Sequence, residues 1–524
     1  MNLVLIETSG NQNYIFATNK LAQNVGASQL THAVGTDFVL EAVRQAGGAV
    51  PKDRADAATY PVLSDENPIE VIVAVSGKAL LLVRRADIGR QIVRAVTLRA
   101  LREAPGLEVR GVVSPDFELG SRLHEVLKAV HREYEAIRSR LPIAATRFQR
   151  LPVIAECDSS GLPATELHDS ELRSAEVQAK VQAADPGLKR IRRLLHDEGQ
   201  RLPFGVSDLE KLGCEWLAVV HADGNGLGQI FLSFDERART TDDRDYITKL
   251  RAFSLALEDS TVRACRRSLA VLVPTGKRQQ PPSEPDKLPI VPLVLGGDDL
   301  TVVCDGRQAL RFTKEFTDAF EAETRNHPDI HAVLPDGVTS CAGVAIIKPH
   351  FPFFAAYELA EELLWSAKQI AKQEDPKKPA SAIDYHVLYD ASGADLERIR
   401  RELTVDGGQT VLVGRPYVTT NGRGPAHRRW LDLQQCIKAV RATDDDQRRK
   451  LPNSMLHDLR EALFLGRMAA DARLRLVLDR YRNQGLDQLL GAGNSLFWKE
   501  NTAGTETYRT ALLDAVDTAE FWEE

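Results

Sequence analysis

The sequence predicts an α+β fold with two ferredoxin-like βαββαβ units and a C-terminal helical domain. Two observations carry this prediction. The order strand, helix, hairpin, helix, strand occurs twice before residue 395, and apolar residues after residue 431 recur at spacings of three and four. We expect a first unit over residues 1–140, a linker over 141–205, a second unit over 206–394 and a mainly helical domain over 395–524.

The composition is that of an ordinary soluble protein, with 43% hydrophobic and 27% charged residues among 524. A formal net charge of −7 provides no global field that would draw the chain onto nucleic acid. The six cysteines form no C-x-x-C pair, so we expect reduced, mostly buried thiols. No apolar stretch approaches the length of a membrane span, and the cytoplasm is the expected compartment.

The first unit shows the complete βαββαβ order. Its predicted elements are strand 2–8, a helix from Gln12, hairpin 70–85, helix 86–103, strand 107–113 and helix 117–140. The hairpin tip reads Ser76-Gly77-Lys78 and carries no carboxylate. This unit therefore lacks the acids that a metal site at its hairpin tip would need.

The linker contains an apolar segment and then a highly charged helix, predicted over residues 170–199. We interpret this helix as a solvated spacer. Cys157 has no cysteine partner nearby, and Ser160 stands where a paired ligand would be expected. A structural zinc site needs four ligands, so no zinc is predicted here.

The second unit places two acids at the tip of an apolar hairpin. Residues 289–305 read PIVPLVLGGDDLTVVCD, in which two runs rich in Val, Ile and Leu flank a Gly-Gly turn. Asp298 and Asp299 follow this turn. Adjacent strand residues face opposite sides, so one acid is expected to point more fully into a site, although turn geometry can bring both near a metal. A polar hairpin turn without a ligand is the alternative interpretation.

A third acid favours the metal-site interpretation. In residues 216–231, WLAVVHADGNGLGQIF, an apolar strand runs into Asp223 and a flexible Gly224-Asn225-Gly226. The following order is helix 245–269, the hairpin, helix 308–323, strand 338–347, helix 353–372 and strand 381–389, with a polar loop at residues 275–287. This is the plan of a polymerase or nucleotidyl cyclase palm with one extra strand. In such a palm, Asp223 would face Asp298 and Asp299 across a site for two divalent cations.

The combined motifs resemble one family. DGNGLG, GGDD, SCAGVAIIKPHFPFFAAYELAEELLWSAK, AIDYHVLY and the N-terminal ETSGNQNYIFATNKLAQNVGASQL are similar to the large polymerase-like subunit of type III CRISPR effector complexes. The resemblance covers residues 1 to about 420. It implies two palms, of which the second makes cyclic oligoadenylates from ATP in antiviral defence. That family's N-terminal nuclease domain is expected to be absent.

The resemblance implies that Asp223, Asp298 and Asp299 hold two Mg2+ or Mn2+ ions and are catalytic. It also implies a nucleotide bound by the first palm. The candidate nucleotide-binding residues are Gly224, Asn225, Gly226, Gly296, Gly297, Lys348, Lys372, Lys20 and Ser28, with Lys78 and Lys368 as further phosphate contacts. Where many relatives carry a second Asp, this chain has Asn225, which affects metal affinity or metal choice.

The resemblance also implies partners. The helical domain is expected to contact CRISPR-like RNA-binding subunits and target RNA, and a homo-oligomer is possible. A basic and aromatic patch formed by Arg423, His427, Arg428, Arg429 and Trp430 is a candidate RNA contact. Two alternative functions are a non-catalytic palm scaffold and a cyclic dinucleotide synthase. Against a diguanylate cyclase, Leu300 stands where those enzymes carry Glu-Phe.

Overall fold

The computed structural model describes residues 1–51, 60–120, 123–203, 209, 212–273, 287–389, 393–502 and 505–522. Most of the polar loop predicted at residues 275–287 lies outside these ranges. The fold is α+β, as predicted, with two palm sheets and a C-terminal region rich in helices. No helix within the described ranges has the length and apolar character needed to span a membrane.

The first palm contains a four-stranded antiparallel sheet in the order β2-β3-β1-β4, which is the ferredoxin-like order. Its elements are β1 (Asn2–Ser9), α1 (Asn11–Ile15), α2 (Leu21–Ala33), α3 (Val39–Gln45), β2 (Ile69–Val75), β3 (Lys78–Val83), α4 (Ala86–Glu103), β4 (Glu108–Val113) and α5 (Leu123–Arg140). A π-helical turn, Val34–Phe38, joins α2 to α3. The strands form because their Val, Ile and Leu side chains are buried on both faces of the sheet.

The linker folds into β5 (Ala164–His168), β6 (Glu171–Ser174), α6 (Ala175–Leu194) and α7 (His196–Gln200). The interpretation of its charged helix as a solvated spacer is wrong. Lys180 of α6 is only 1% exposed, and its ammonium donates to Glu176 Oε1 at 2.6 Å and to the Tyr14 carbonyl at 2.7 Å. A Cβ added at Gly26 of α2 would lie 1.7 Å from the Lys180 carbonyl oxygen, so the two helices touch backbone to backbone.

The second palm repeats this plan in a six-stranded sheet with the order β14-β11-β10-β7-β9-β8. Its elements are β7 (Leu217–Gly224), α8 (Leu227–Leu232), α9 (Phe234–Ala238), α10 (Asp243–Leu269), β8 (Ile290–Gly296), β9 (Asp299–Asp305), α11 (Gly306–Asn326), α12 (Pro328–His331), β10 (Ser340–Ile347), α13 (Phe353–Ala371) and β11 (Ala382–Val387). The sequence predicts the extra strand β11, and the structure shows that it pairs in parallel with β10. Alternate residues of β7 face α10 and α11 on one side of the sheet and α13 on the other.

The C-terminal region contains α14 (Leu396–Glu402), β12 (Thr404–Val405), β13 (Thr410–Val411), β14 (Tyr417–Val418), α15 (Trp430–Arg441), α16 (Asn453–Phe464), α17 (Arg467–Tyr481), β15 (Trp498–Thr502), β16 (Thr505–Arg509) and α18 (Leu512–Thr518). Its helices agree with the prediction, whereas its four-stranded sheet, β12-β13-β16-β15, was not predicted. Two of these strands are only two residues long and the others are mainly polar, so they lack an apolar alternation in the sequence. β14 extends the sheet of the second palm.

The two palms pack closely against each other. The Phe16 ring of the first palm stacks on the Tyr357 ring of the second, with centroids 3.6 Å apart. Glu70 of β2 is 1% exposed and pairs with Arg244 and Arg251 of α10. A ring stack and a buried ion cluster therefore hold the first palm beside the hairpin of the second.

Candidate metal and nucleotide site

Three carboxylates converge at one edge of the second palm sheet. Asp223 lies near the end of β7, and Asp298 and Asp299 lie in the turn between β8 and β9 and at its exit. One oxygen of each carboxylate lies within 4.8 Å of the others. Both hairpin acids thus contribute to the same cluster, because Asp298 lies in the turn and escapes the strict alternation of a strand.

Glycine permits this convergence at two positions. Gly297 has φ +64, a conformation that other residues adopt only with strain, and it leads the turn into Asp298. At Gly224, an added Cβ would lie 2.9 Å from Asp298 Oδ2 and 3.1 Å from Asp298 Cβ. The absence of a side chain at Gly224 therefore leaves the space that Asp298 occupies beside Asp223.

The negative charges of the clustered carboxylates are poorly solvated. Burial raises the pKa of both hairpin carboxyls, and the charge of Asp298 raises the pKa of Asp299 further. Lys368 of α13 forms an ion pair with Asp223. Burial and the neighbouring Lys372 lower the pKa of the Lys368 ammonium to about 8. Hard carboxylate oxygens in this arrangement fit Mg2+ or Mn2+, and the Lys368 ammonium neutralises one of the three, Asp223.

A cavity of about 560 Å3 lies between the palms, next to this cluster. Both hairpin tips reach it, and a Cβ added at Gly296 would lie 3.7 Å from Ser76 Cβ. The polar residues at its wall that matter here are Glu7, Ser28, Lys78 and His131 from the first palm and His221, Asp298 and Asp299 from the second. Asp298 and Asp299 therefore face a space of ligand size that both palms line, and Asp223 lies beside them within the acidic cluster.

In the first palm, a different carboxylate occupies the position that Asp223 has in the second palm. Glu7 pairs with Lys78 across β1 and β3, and the same register in the second palm sets Asp223 opposite Asp299. Lys78 Nζ lies 3.4 Å from Glu7 Oε2 and 3.1 Å from His131 Nε2. A lysine ammonium thus neutralises Glu7, the carboxylate at this position of the first palm.

The predicted nucleotide-binding residues separate into two groups. Gly296, Gly297, Ser28 and Lys78 line the cavity. Lys372 caps the C-terminus of α13, one turn beyond Lys368. These residues lie at the cavity wall or near Lys368, and their contact with a nucleotide stays a prediction.

Other predicted residues lie elsewhere or have structural roles. Lys348 follows the far end of β10, whose register puts it at least six residues, or about 20 Å, from Asp223. Its ammonium lies 3.6 Å from the centre of the Trp216 ring, so its placement with the acids is wrong. Lys20 pairs with Glu171 of the linker instead of reaching the cavity.

Asn225 is a structural residue. Its side chain is buried and donates to Thr339 Oγ1 and to the Ala380 carbonyl, each at 3.0 Å. Gly226, with φ +73, begins the six-residue helix α8. The DGNGLG motif therefore provides the acid Asp223, the glycine Gly224 that leaves space for Asp298, and Asn225, whose hydrogen bonds connect the motif to the segments that precede β10 and β11.

Three of the five residues of the predicted RNA patch make contacts within the fold, whereas Arg429 is exposed and Arg423, which is partly exposed, pairs with Glu374. Arg428 is 6% exposed and pairs with Glu500 at 2.9 Å, and Trp430 is 3% exposed. The His427 ring stacks on the Trp498 ring. Because the missed sheet packs against this segment, side chains that look basic and aromatic in the sequence are used within the fold.

Sequence reasoning missed several residues of the site. His221 lines the cavity two residues before Asp223, and its Nδ1 lies 3.0 Å from Thr301 Oγ1. Burial, together with the charge of Lys368, lowers the His221 pKa to about 4. The period of two along β7 predicts that His221 shares a face with Asp223, and this signal could have found it. No sequence pattern points to Glu7 or His131, and only the folded structure shows that they line the cavity.

Residues 216–377 match the family model described as Cas10/Cmr2, second palm domain. This segment contains all three acids. A search of curated proteins gave no significant match to the chain.

Several solved structures are similar to the whole chain. Csm1 of T. onnurineus has a TM-score of 0.50 and 16% identity, covering 93% of this chain and 64% of that one. A Csm1–Csm4 cassette in complex with pppApA gives 0.51 and 13%, covering 91% and 64%. The cassette in complex with AMPPNP gives 0.50 and 13%, covering 94% and 64%. At these identities the likeness shows the fold, and the chain spans just under two thirds of the length of these proteins.

Proposed function

We propose that the protein is a metal-dependent nucleotidyltransferase of type III CRISPR systems that joins ATP into cyclic oligoadenylates, because residues 216–377 match the family model of the Cas10/Cmr2 second palm domain. The observation that carries the proposal is the convergence of three carboxylates within 4.8 Å beside an inter-palm cavity. Adenine nucleotides are the proposed substrates because similar folds have been solved with AMPPNP and pppApA.

In this reaction a ribose hydroxyl of one nucleotide attacks the α-phosphate of the next, and pyrophosphate leaves. Asp223, Asp298 and Asp299 would hold two Mg2+ or Mn2+ ions. When bound there, such ions activate the hydroxyl and neutralise the triphosphate. A final attack of a terminal hydroxyl on the α-phosphate at the other end of the chain closes the ring and releases the last pyrophosphate.

The side chains around the acids have separate roles. Lys368 releases Asp223 for ligation and, with Lys372, offers positive charge to the phosphates. The stacked rings of Phe16 and Tyr357 line one part of the cavity and would shield that part from water. Lys78 and Ser28 on the first-palm wall are the proposed contacts for a second nucleotide.

A scaffold role is the second candidate, and one observation favours it. Lys368 already neutralises Asp223, so the cluster is partly compensated without a metal. In that case the palms would only hold partner subunits. Association with a Csm4-like subunit is proposed in either case, because similar folds occur in Csm1–Csm4 cassettes.

The experiment that separates these functions is mass spectrometry of products after incubation with each NTP and Mg2+ or Mn2+. The control is the Asp298→Ala/Asp299→Ala variant. A cyclic adenylate made only by the intact protein supports the enzyme. If no NTP yields a product, the assay is repeated with partner subunits and target RNA, and a second negative result favours the scaffold.

Metal binding gives an independent readout. We expect Mn2+ to raise the melting temperature of the intact protein, because the bound ion removes the repulsion between buried carboxylates. Asp299→Asn reduces that repulsion by itself and is expected to be at least as stable as the intact protein in EDTA. A melting temperature that does not respond to Mn2+ would contradict a metal site at these acids.

A further inference from the structure

Helix α10 connects the first palm to the acidic turn of the second. Near its start, Asp243 accepts hydrogen bonds from the backbone N–H groups of Gly120, at 2.7 Å, and Leu123, at 2.9 Å. Further along, Arg251 donates to Glu70 Oε1 at 3.0 Å and to the Val71 carbonyl at 2.8 Å. The N-terminal half of α10 is therefore held by the first palm.

The C-terminal half of α10 contacts the acidic turn through one hydroxyl. Thr261 is fully buried, and its Oγ1 donates to the Gly297 carbonyl at 2.7 Å. The same hydroxyl lies 3.0 Å from the Leu257 carbonyl in its own helix. A hydroxyl has one proton, and the shorter contact assigns it to Gly297.

The orientation of the Gly297 carbonyl affects the position of Asp298. It belongs to the peptide plane that leads into Asp298, so fixing its oxygen fixes the direction in which Asp298 leaves the turn. Glycine with φ +64 has little intrinsic preference for this conformation over others. The turn therefore needs an external restraint to keep Asp298 and Asp299 in one arrangement.

We propose that Thr261 is a positioning residue that aims Asp298 and Asp299 by holding the Gly297 carbonyl, and that α10 thereby fixes the metal cluster relative to the first palm. The part of this inference that concerns metal rests on the proposed function. The part that concerns the turn stands on the geometry of the chain itself.

The test compares three variants of the full-length protein. Thr261→Val removes the hydroxyl at nearly constant volume, and Thr261→Ser restores it. Thr313→Val is the matched control, because Thr313 is equally buried and its hydroxyl donates at 2.7 Å to the Ala309 carbonyl, four residues back in α11, without contacting the turn. Both valine variants lose one buried helical hydroxyl, so a general loss of stability affects both.

Two measurements are made. In metal-free protein, we expect faster hydrogen exchange at residues 293–300 in Thr261→Val, wild-type exchange in Thr261→Ser and no change there in Thr313→Val. The dissociation constant for Mn2+, measured by calorimetry, should rise about 10-fold in Thr261→Val and recover in Thr261→Ser.

The two readouts fail separately. If wild-type protein binds Mn2+ no better than Asp298→Ala/Asp299→Ala, the proposed function fails, and the exchange data still decide whether Thr261 holds the turn. Unchanged exchange in Thr261→Val, or an equal effect of Thr313→Val at residues 293–300, overturns the positioning role.

Discussion

Substitution of Gly224 by alanine tests whether the acids must converge. The new Cβ would lie 2.9 Å from Asp298 Oδ2 and 2.8 Å from Leu227 Cδ1, where ordinary contact begins at 3.4 Å. The Asp298 oxygen must therefore move by about 0.5 Å, the difference between 3.4 and 2.9 Å. These two atoms end flexible side chains, and a third, Asp298 Cβ at 3.1 Å, must shift by about 0.3 Å to reach 3.4 Å. Gly224 lies in extended β7, so the fold should tolerate the change.

A shift of this size matters more to a metal than to folding, because ligand distances are fixed within about 0.2 Å. We expect Gly224→Ala to weaken Mn2+ binding by about 10-fold to 100-fold, as for other changes next to metal ligands. Calorimetric titration with Mn2+ measures this loss, and circular dichroism checks the fold.

The chain provides a matched control in the same motif. A Cβ added at Gly228 meets no atom within 4 Å, so Gly228→Ala should bind Mn2+ as the wild type does. Wild-type Mn2+ affinity in Gly224→Ala, with the fold intact, would refute the argument that the space at Gly224 sets the position of Asp298.

Two further predictions concern stability. Glu70→Gln leaves Arg251 buried without its charged partner and should lower the free energy of unfolding by about 3 kcal/mol in urea titrations. The control, Glu41→Gln, breaks an exposed pair with Arg44 and should change the free energy of unfolding by less than about 1 kcal/mol. Equal effects of the two substitutions would contradict a stabilising role for the buried ion pair. Burial, with the charges of Arg415 and Arg400, holds the pKa of His386 well below 6.5, so below pH 6.5 the unfolded chain takes up a proton that the folded chain does not. Stability should therefore fall as the pH drops below 6.5, and His386→Gln should flatten this dependence in thermal melts; an unchanged slope would exclude His386 as its source.

The helical and strand patterns predicted most of the fold. Strands β8 and β9 are rich in Val, Ile and Leu, and this composition, with the intervening Gly-Gly, predicts the hairpin without any structure. The three acids were predicted for the same reason, since each directly follows an apolar run or a glycine turn. The resemblance to the type III CRISPR large subunit, inferred from combined motifs, is confirmed for residues 216–377, which match the model of the Cas10/Cmr2 second palm domain.

Charged residues were the least predictable from sequence. Lys180 and Arg428 are residue types usually found on the solvated surface, yet both are buried because the Tyr14 carbonyl and Glu500, respectively, accept hydrogen bonds from them in the fold. Whether a charged side chain is solvated or paired depends on contacts that are distant in sequence, and local periodicity carries no record of them.

The sequence by itself determined the two palms, the three acids and the lack of carboxylates at the first hairpin tip, because these follow from local patterns of apolar residues, glycine and aspartate. Only the tertiary structure decided which lysine meets the acids. Lys348 and Lys368 are similar in the sequence, but the antiparallel register of β10 against β7 carries Lys348 to the far end of the sheet, while α13 returns Lys368 to Asp223. The pairing of strands and the return of a helix over them set such distances, and these are properties of the assembled chain.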